Sequence, residues 1–337
     1  MNYYPDLSTN TAIFMVLLAA SMWGTWFISL KYLGDYPIDG YYVTLFTTSV
    51  IFVWTVGLIL DGSALIQNIR EVYAVDPSRV IVTLIGGVLY VLGMRVTLHV
   101  FSTIGLALAQ PIKSSIGVLV GTTIATVIGG VPEGYPLELI YLASLILLGA
   151  ILASMLAGRI RIRGQAYAIE KSDLQFTIKD VWRSIGLIFV TSFLGLGYTF
   201  GLSYGLRSIT QPNGLAVLPY MALLSLGAFI GSMLTSGGLL TVRKQWGRVF
   251  NASFSIHKFG IWSGLFHYGG NIIHTYSSAF LSTAVTFPLG LTSGLWTQLW
   301  GIAYGEFKGS PGRVYLVLFI AISLYILGAY LIASINF

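Results

Sequence analysis

One stretch of this chain, Phe259 to Gly305, runs for 47 residues without a Lys, Arg, Asp or Glu. As a single helix it would be about 70 Å long, more than twice the ~30 Å hydrocarbon core of a bilayer, so a membrane-embedded version must cross twice. The break is expected near Ser282. Shorter uncharged runs of about 20 residues recur elsewhere. Across 337 residues the chain is 55% hydrophobic, 9% charged and has a mean hydropathy of +0.81, too apolar for water to be its main solvent. The runs are continuous and do not alternate, which predicts helices and not the strands of an outer-membrane barrel.

Charges, Pro/Gly turns and span length place helices at about 12–30, 40–60, 80–101, 103–129 and 138–158, then 184–206, 214–240, 259–280, 281–305 and 314–335. The N-terminal Met-Asn-Tyr-Tyr-Pro-Asp-Leu-Ser has no positive n-region, so Ala12 to Leu30 reads as a permanent span. The expected organisation is an all-α integral membrane protein of ten spans. It divides into a five-helix repeat at 1–158, a polar connector at 159–183 and a second, inverted repeat at 184–337.

The basic residues are unevenly shared. Loops on one side hold Lys31, Arg159, Arg161, Arg163, Lys171, Lys179, Arg183, Arg243, Lys244, Arg248, Lys258, Lys308 and Arg313; the other side holds Arg70, Arg79 and Arg207. The positive-inside tendency puts the first group in the cytoplasm of an inner membrane and both termini outside. It also accounts for the net charge of +6 without a nucleic-acid partner. With no cysteine, the chain has no disulfide, thiolate metal site or cysteine nucleophile.

A shift of 177 residues aligns the halves without a gap: Gly24 with Gly201, Gly87 with Gly264, Gly93 with Gly270, Pro111 with Pro288, and Gly117 with Gly294. Five crossings per repeat is an odd number, so the second repeat enters the membrane upside down. Inverted halves enclose a site near the midplane and expose it to each side in turn. Pro111 and Pro288 break backbone hydrogen bonds within spans and read as hinges or cavity walls, or as packing kinks.

A charge deep in lipid costs at least about 2.5 kcal/mol. Lys113 lies mid-span on a face shared with Gln110, Gly117 and Gly121; it suits a substrate or gating role, or an ammonium held by carbonyls freed at Pro111. Arg95 is nearer its span end and reads as structural. His267, Asn271, His274 and Ser278 form one stripe extended by Gly260 and Gly264. Either histidine suits a coupling proton, and interhelical hydrogen bonding explains both as well. No Asp or Glu falls inside an expected span, so uniport, exchange and proton or sodium coupling all stay open. Trp23, Trp26, Tyr90, Tyr198, Tyr268 and Trp296 lie beside the repeat glycines, with Gln298 following Trp296. Their rings would stack on a sugar or heterocycle, or simply pack.

The chain resembles the drug/metabolite transporter superfamily, and within it the group of glucose/ribose porters, L-rhamnose/proton symporters and ureide permeases. The resemblance is carried by Met22-Trp23-Gly24-Thr25-Trp26 with Lys31-Tyr32-Leu33-Gly34, by Gly87 to Gly93, by Ala109-Gln110-Pro111-Ile112, by Gly264 to Asn271, and by Gly305-Glu306. It implies a central cavity lined by spans 1, 3, 4, 6, 8 and 9, with spans 5 and 10 peripheral. Lys113 departs from the sugar-porter pattern, which has a small polar residue there, and raises an anionic substrate as an alternative.

The expected function is secondary transport of a small polar solute, such as a sugar or ureide, by alternating access, as monomer or homodimer and without a cofactor. Export or exchange of amino acids or anionic metabolites, and flipping of a lipid-linked sugar, are the alternatives. An enzyme is disfavoured: there is no Asp pair, no His-Glu-x-x-His and no nucleophile elbow with triad partners.

Overall fold

The computed structural model describes residues 7–104, 114–166 and 178–334. Gln110, Pro111 and Lys113, and the middle of the connector, lie outside the described residues. The described residues are all-helical, 82% helix, with no strand.

Among the described residues, seven helical segments are long and apolar enough to span a membrane. The first joins α1 (Thr9–Trp23) to a 3-10 turn at Trp26–Tyr32, and the next two are α2 (Ile38–Leu60) and α4 (Pro77–Ile104). A short amphipathic helix, α3 (Ser63–Val75), lies between them. α5 (Ser114–Val127) is apolar but shorter, and α6 (Leu137–Ala166) is the fourth long segment. α7 (Ile178–Gly195) and α8 (Gly197–Gly205) make one broken span, followed by α9 (Val217–Val242) with a π-turn at Met233–Gly237. After the short α10 (Trp246–Phe250) come α11 (Phe254–Leu281), α12 (Thr283–Gly290), α13 (Ser293–Ala303) and the last long segment, α14 (Gly312–Ala333).

α11 is not among the seven, although its 28 residues reach about 42 Å. Its polar stripe lowers its hydropathy, and that stripe is buried against protein. α11 ends where expected: Ser282 has φ 73°, its Oγ accepts from Ala284 N at 3.1 Å to cap α12, and it donates to Gly130 O at 2.6 Å. The following span is split again at Leu291–Thr292, just past Pro288.

Local chemistry explains other boundaries. Asp76 precedes Pro77 at the start of α4 and accepts from Ser78 N at 3.2 Å, while Ser78 Oγ and Arg79 hold its carboxyl below the usual carboxylate range. α3 was not expected, because 13 amphipathic residues are too short to span. It buries Leu65, Asn68 and Val72, and Asn68 Oδ1 caps α9 by accepting from Ala216 N at 3.0 Å.

α4 packs on α7, α8 and α9; α11 packs on α1 and α2; α6 and α14 form a pair at the edge. Glycine sets the closeness of these crossings. A Cβ on Gly87 would lie 2.3 Å from Leu224 O, one on Gly227 2.0 Å from Leu84 O, and one on Gly264 2.6 Å from Leu45 O. Backbone cannot yield as a side-chain tip can. Gly264→Val is therefore expected to destabilise the protein by about 2 kcal/mol or more. Thermal unfolding in detergent measures this, and an unchanged midpoint would contradict the packing.

One expectation about charge is corrected. α2 begins at Ile38, so Asp39 lies in the first turn of a span and is 1% exposed. Its carboxylate takes a two-point ion pair from Arg95, Nε to Oδ1 at 2.6 Å and Nη2 to Oδ2 at 3.1 Å, and a third contact from Arg243 at 3.4 Å. Arg95 is thus held by a carboxylate inside the protein and does not snorkel to the span end.

Candidate functional site

The polar face of α11 meets the end of α1, the middle of α4, α8 and α12. It brings together seven residues singled out from the sequence: Trp23, Trp26, Tyr90, Tyr198, His267, Asn271 and His274. Tyr90 Oη and His267 Nε2 are 2.7 Å apart, and Trp26 sets its ring edge-on to His267 with centroids 5.2 Å apart. Trp23 Nε1 donates to Asn271 Oδ1 at 2.8 Å. That bond fixes the amide, turning Nδ2 the other way.

His274 is held differently. Its Nε2 lies 3.2 Å from Thr286 O, and a carbonyl only accepts, so Nε2 carries the proton. In the neutral ring Nδ1 then accepts from Tyr198 Oη, at 3.2 Å. Ser278 Oγ donates to His274 O at 2.8 Å and lies 2.6 Å from Thr286 Oγ1. Gly290, at the end of α12, lets Trp23 and His274 approach, since a Cβ there would lie 2.9 Å from the Trp23 ring. His274 thus ties α11 to the broken span.

His267 Nδ1 and Asn271 Nδ2, one turn apart on α11, are buried without a hydrogen-bond partner, as are Tyr268 Oη and Tyr220 Oη close by. Leaving a buried donor or acceptor unsatisfied costs about 1–3 kcal/mol per group, so both atoms keep hydrogen-bonding capacity for a polar partner. The surrounding side chains are aromatic and neutral. Among the described residues no group of His, Asp and Glu is arranged to hold a metal ion.

Other expected site residues lie elsewhere. Trp296 is 39% exposed and packs its Cβ against Gly24, outside the cluster. Gln298 accepts from Ser154 Oγ at 2.8 Å and donates to Leu318 O at 3.2 Å, so it staples α13 to the α6–α14 pair. Pro288 is buried in α12, two residues before that helix ends. Thr286 and Tyr220 were missed by sequence reasoning; Thr286 acts through its carbonyl, which residue identity does not disclose. A cavity of about 310 Å³ lies apart from the cluster, between α4, α5, α7 and α8, lined by apolar residues including Val82, Leu89, Val120 and Phe200. It offers a polar solute no side-chain hydrogen bond.

No family model and no curated protein matches the chain. Among solved structures, one described only as "Crystal structure of protein" is similar, with a TM-score of 0.59 at 14% identity over 95% of each chain. The likeness extends over nearly the full length and concerns the fold alone.

Proposed function

We propose that this protein is a secondary transporter of a small polar solute, built as two inverted five-helix halves of the drug/metabolite transporter kind and working by alternating access. The observation that carries the reading is the Tyr90–His267 contact, which joins residues 177 apart. That separation is the repeat period. A residue touches its own repeat equivalent only beside the axis relating the repeats. α4 and α11 are both 28 residues long, begin 177 residues apart, and carry Tyr90 and His267 as their fourteenth residues. The neighbours correspond too: α1 and α2 against α11 mirror α7, α8 and α9 against α4. A polar, under-bonded site at mid-helix on such an axis supports alternating access.

Ion pairs between the halves support a gate on one side. Asp39 of the first half joins Arg243 of the second, and Glu306 of the second joins Lys31 of the first; Arg95, in the first half, and Arg161, in the connector at 3.7 Å, hold the same two carboxylates. The repeat equivalents of Asp39, Arg95, Lys31 and Glu306 are Ala216, Ile272, Ser208 and Gly129, none charged. Contacts between the halves at the opposite end are neutral or involve one charge: Thr210 Oγ1 to Gly129 O at 2.5 Å, Gln211 Nε2 to Ile128 O at 2.7 Å and Arg79 Nη1 to Tyr204 O at 2.7 Å. By the positive-inside tendency the ionic gate is cytoplasmic and the membrane is the inner one.

Proteoliposomes with imposed pH and sodium gradients, given labelled sugars, ureides, amino acids and sugar acids, test the reading; a saturable flux of one class is expected. If a proton is coupled, His267 is the residue that carries it, because both ring nitrogens of His274 are engaged. His267→Gln is then expected to flatten the pH profile of flux, whereas His274→Gln lowers flux and leaves the profile's shape. The reverse pattern would contradict the assignment. Transport by Lys113→Ala at the unaltered rate would remove that residue from the site. Flipping of a lipid-linked sugar is the second reading, favoured by the apolar cavity beside α5; activity only on lipid-linked substrates would select it.

A further inference from the structure

The turn from α9 through α10 into α11 carries a surface that neither the gate nor the site explains. α9 ends in a full Schellman motif: Gln245 N donates to Leu240 O at 2.8 Å and Lys244 N to Thr241 O at 3.1 Å. The residue such a motif places in the left-handed region is ordinarily glycine. Here it is Lys244, with φ 53°. The chain thus accepts backbone strain at a position where glycine would relieve it and puts an ammonium there instead.

The same turn carries two further exposed cations, Arg248 and Lys258. Arg243 also points out of this turn but is engaged with Asp39. Arg248 donates to the backbone carbonyl of Asp35, and Lys258 rests 5.2 Å from the Phe259 ring centroid. No carboxylate forms an ion pair with Lys244, Arg248 or Lys258 among the described residues, and the sequence has no acid between Asp180 and Glu306. The same turn exposes large apolar side chains: Val242 at 80%, Phe250 at 75% and Phe254 at 73%, with Trp246 stacked on Phe250 at 5.4 Å. Cations without counter-ions beside exposed rings at the end of a span match the layered chemistry of one leaflet, phosphate above and acyl chain below.

We propose that this turn is a binding site for an anionic phospholipid headgroup, with Lys244, Arg248 and Lys258 facing the phosphate and Phe250 and Phe254 entering the acyl region. It rests on the chain spanning a membrane and not on transport. The test is native mass spectrometry of the purified full chain with phosphatidylglycerol, with phosphatidylcholine and with inorganic phosphate. Phosphatidylglycerol is expected to bind at least tenfold more tightly than phosphatidylcholine, and phosphate alone not measurably. Each basic residue near the surface supplies about fivefold, so Lys244→Gln/Arg248→Gln/Lys258→Gln is expected to abolish the preference. Lys308→Gln/Arg313→Gln, on another loop, should retain it. Lys244→Gly separates binding from folding: it should raise the unfolding midpoint in neutral detergent while weakening phosphatidylglycerol about fivefold. Equal binding of the two lipids, or a preference that survives the triple variant, would overturn the proposal.

Discussion

Asp39→Asn is expected to destabilise the protein by about 3 kcal/mol and to open the ionic side of the molecule. The side chain is 2% exposed and its oxygens hold Arg95, 12% exposed, and Arg243, 53% exposed. Removing the carboxylate charge leaves a nearly buried guanidinium without its counter-ion, and that stranded charge supplies most of the cost. Arg243 is half in solvent and adds little through its own contact. Pairing Asp39→Leu with Arg95→Met removes both buried charges together and is expected to recover most of the loss. Thermal unfolding of the single and double variants decides it. A single variant within about 0.5 kcal/mol of the parent would show that the pair holds nothing together.

The largest expected effect on activity lies at Asn271. Its Oδ1 is held by Trp23, which leaves the buried Nδ2 without a partner, as is Nδ1 of His267 one turn away. Asn271→Leu keeps the approximate volume but removes both the orienting bond and the free donor. Flux is expected to fall between tenfold and a hundredfold, the cost of one to two buried hydrogen bonds to a polar ligand. Asn271→Asp keeps the acceptor for Trp23 and loses the donor, but it buries a carboxyl without a cationic partner, so it should lose flux and stability together. Flux unchanged in both variants would remove Asn271 from the site.

Much of the helix layout was legible in the sequence, because bilayer thickness leaves few ways to arrange uncharged runs. The turn at Ser282 follows from the length of one such run, and the α11 stripe follows from helical spacing. Four of the aromatics marked by proximity to the repeat glycines, Trp23, Trp26, Tyr90 and Tyr198, do meet His267, Asn271 and His274 of that stripe. Trp296 and Gln298 do not, because which way a residue faces on a short broken helix depends on where the break falls, and Leu291–Thr292 carries no strong signal. α3 and α10 were invisible for a related reason: a short interfacial helix has neither the length of a span nor the turn chemistry of a loop. Asp39 was missed by two residues of helix boundary, enough to turn a loop acid into a buried ion-pair partner. The unspent polar atoms of His267 and Asn271 needed coordinates, since residue identity does not reveal which hydrogen bonds are made.

The chain has no cysteine, so a single introduced thiol reports one position without background. Met94 lies one helical turn from Tyr90 on α4 and is partly buried in the same core. In sealed proteoliposomes of one orientation, Met94→Cys is expected to react with a membrane-impermeant thiol reagent added to either side, and a saturating transported solute should protect it from both. Reaction from one side only, or from neither under conditions of active flux, would contradict a mid-membrane site opened alternately by two inverted halves.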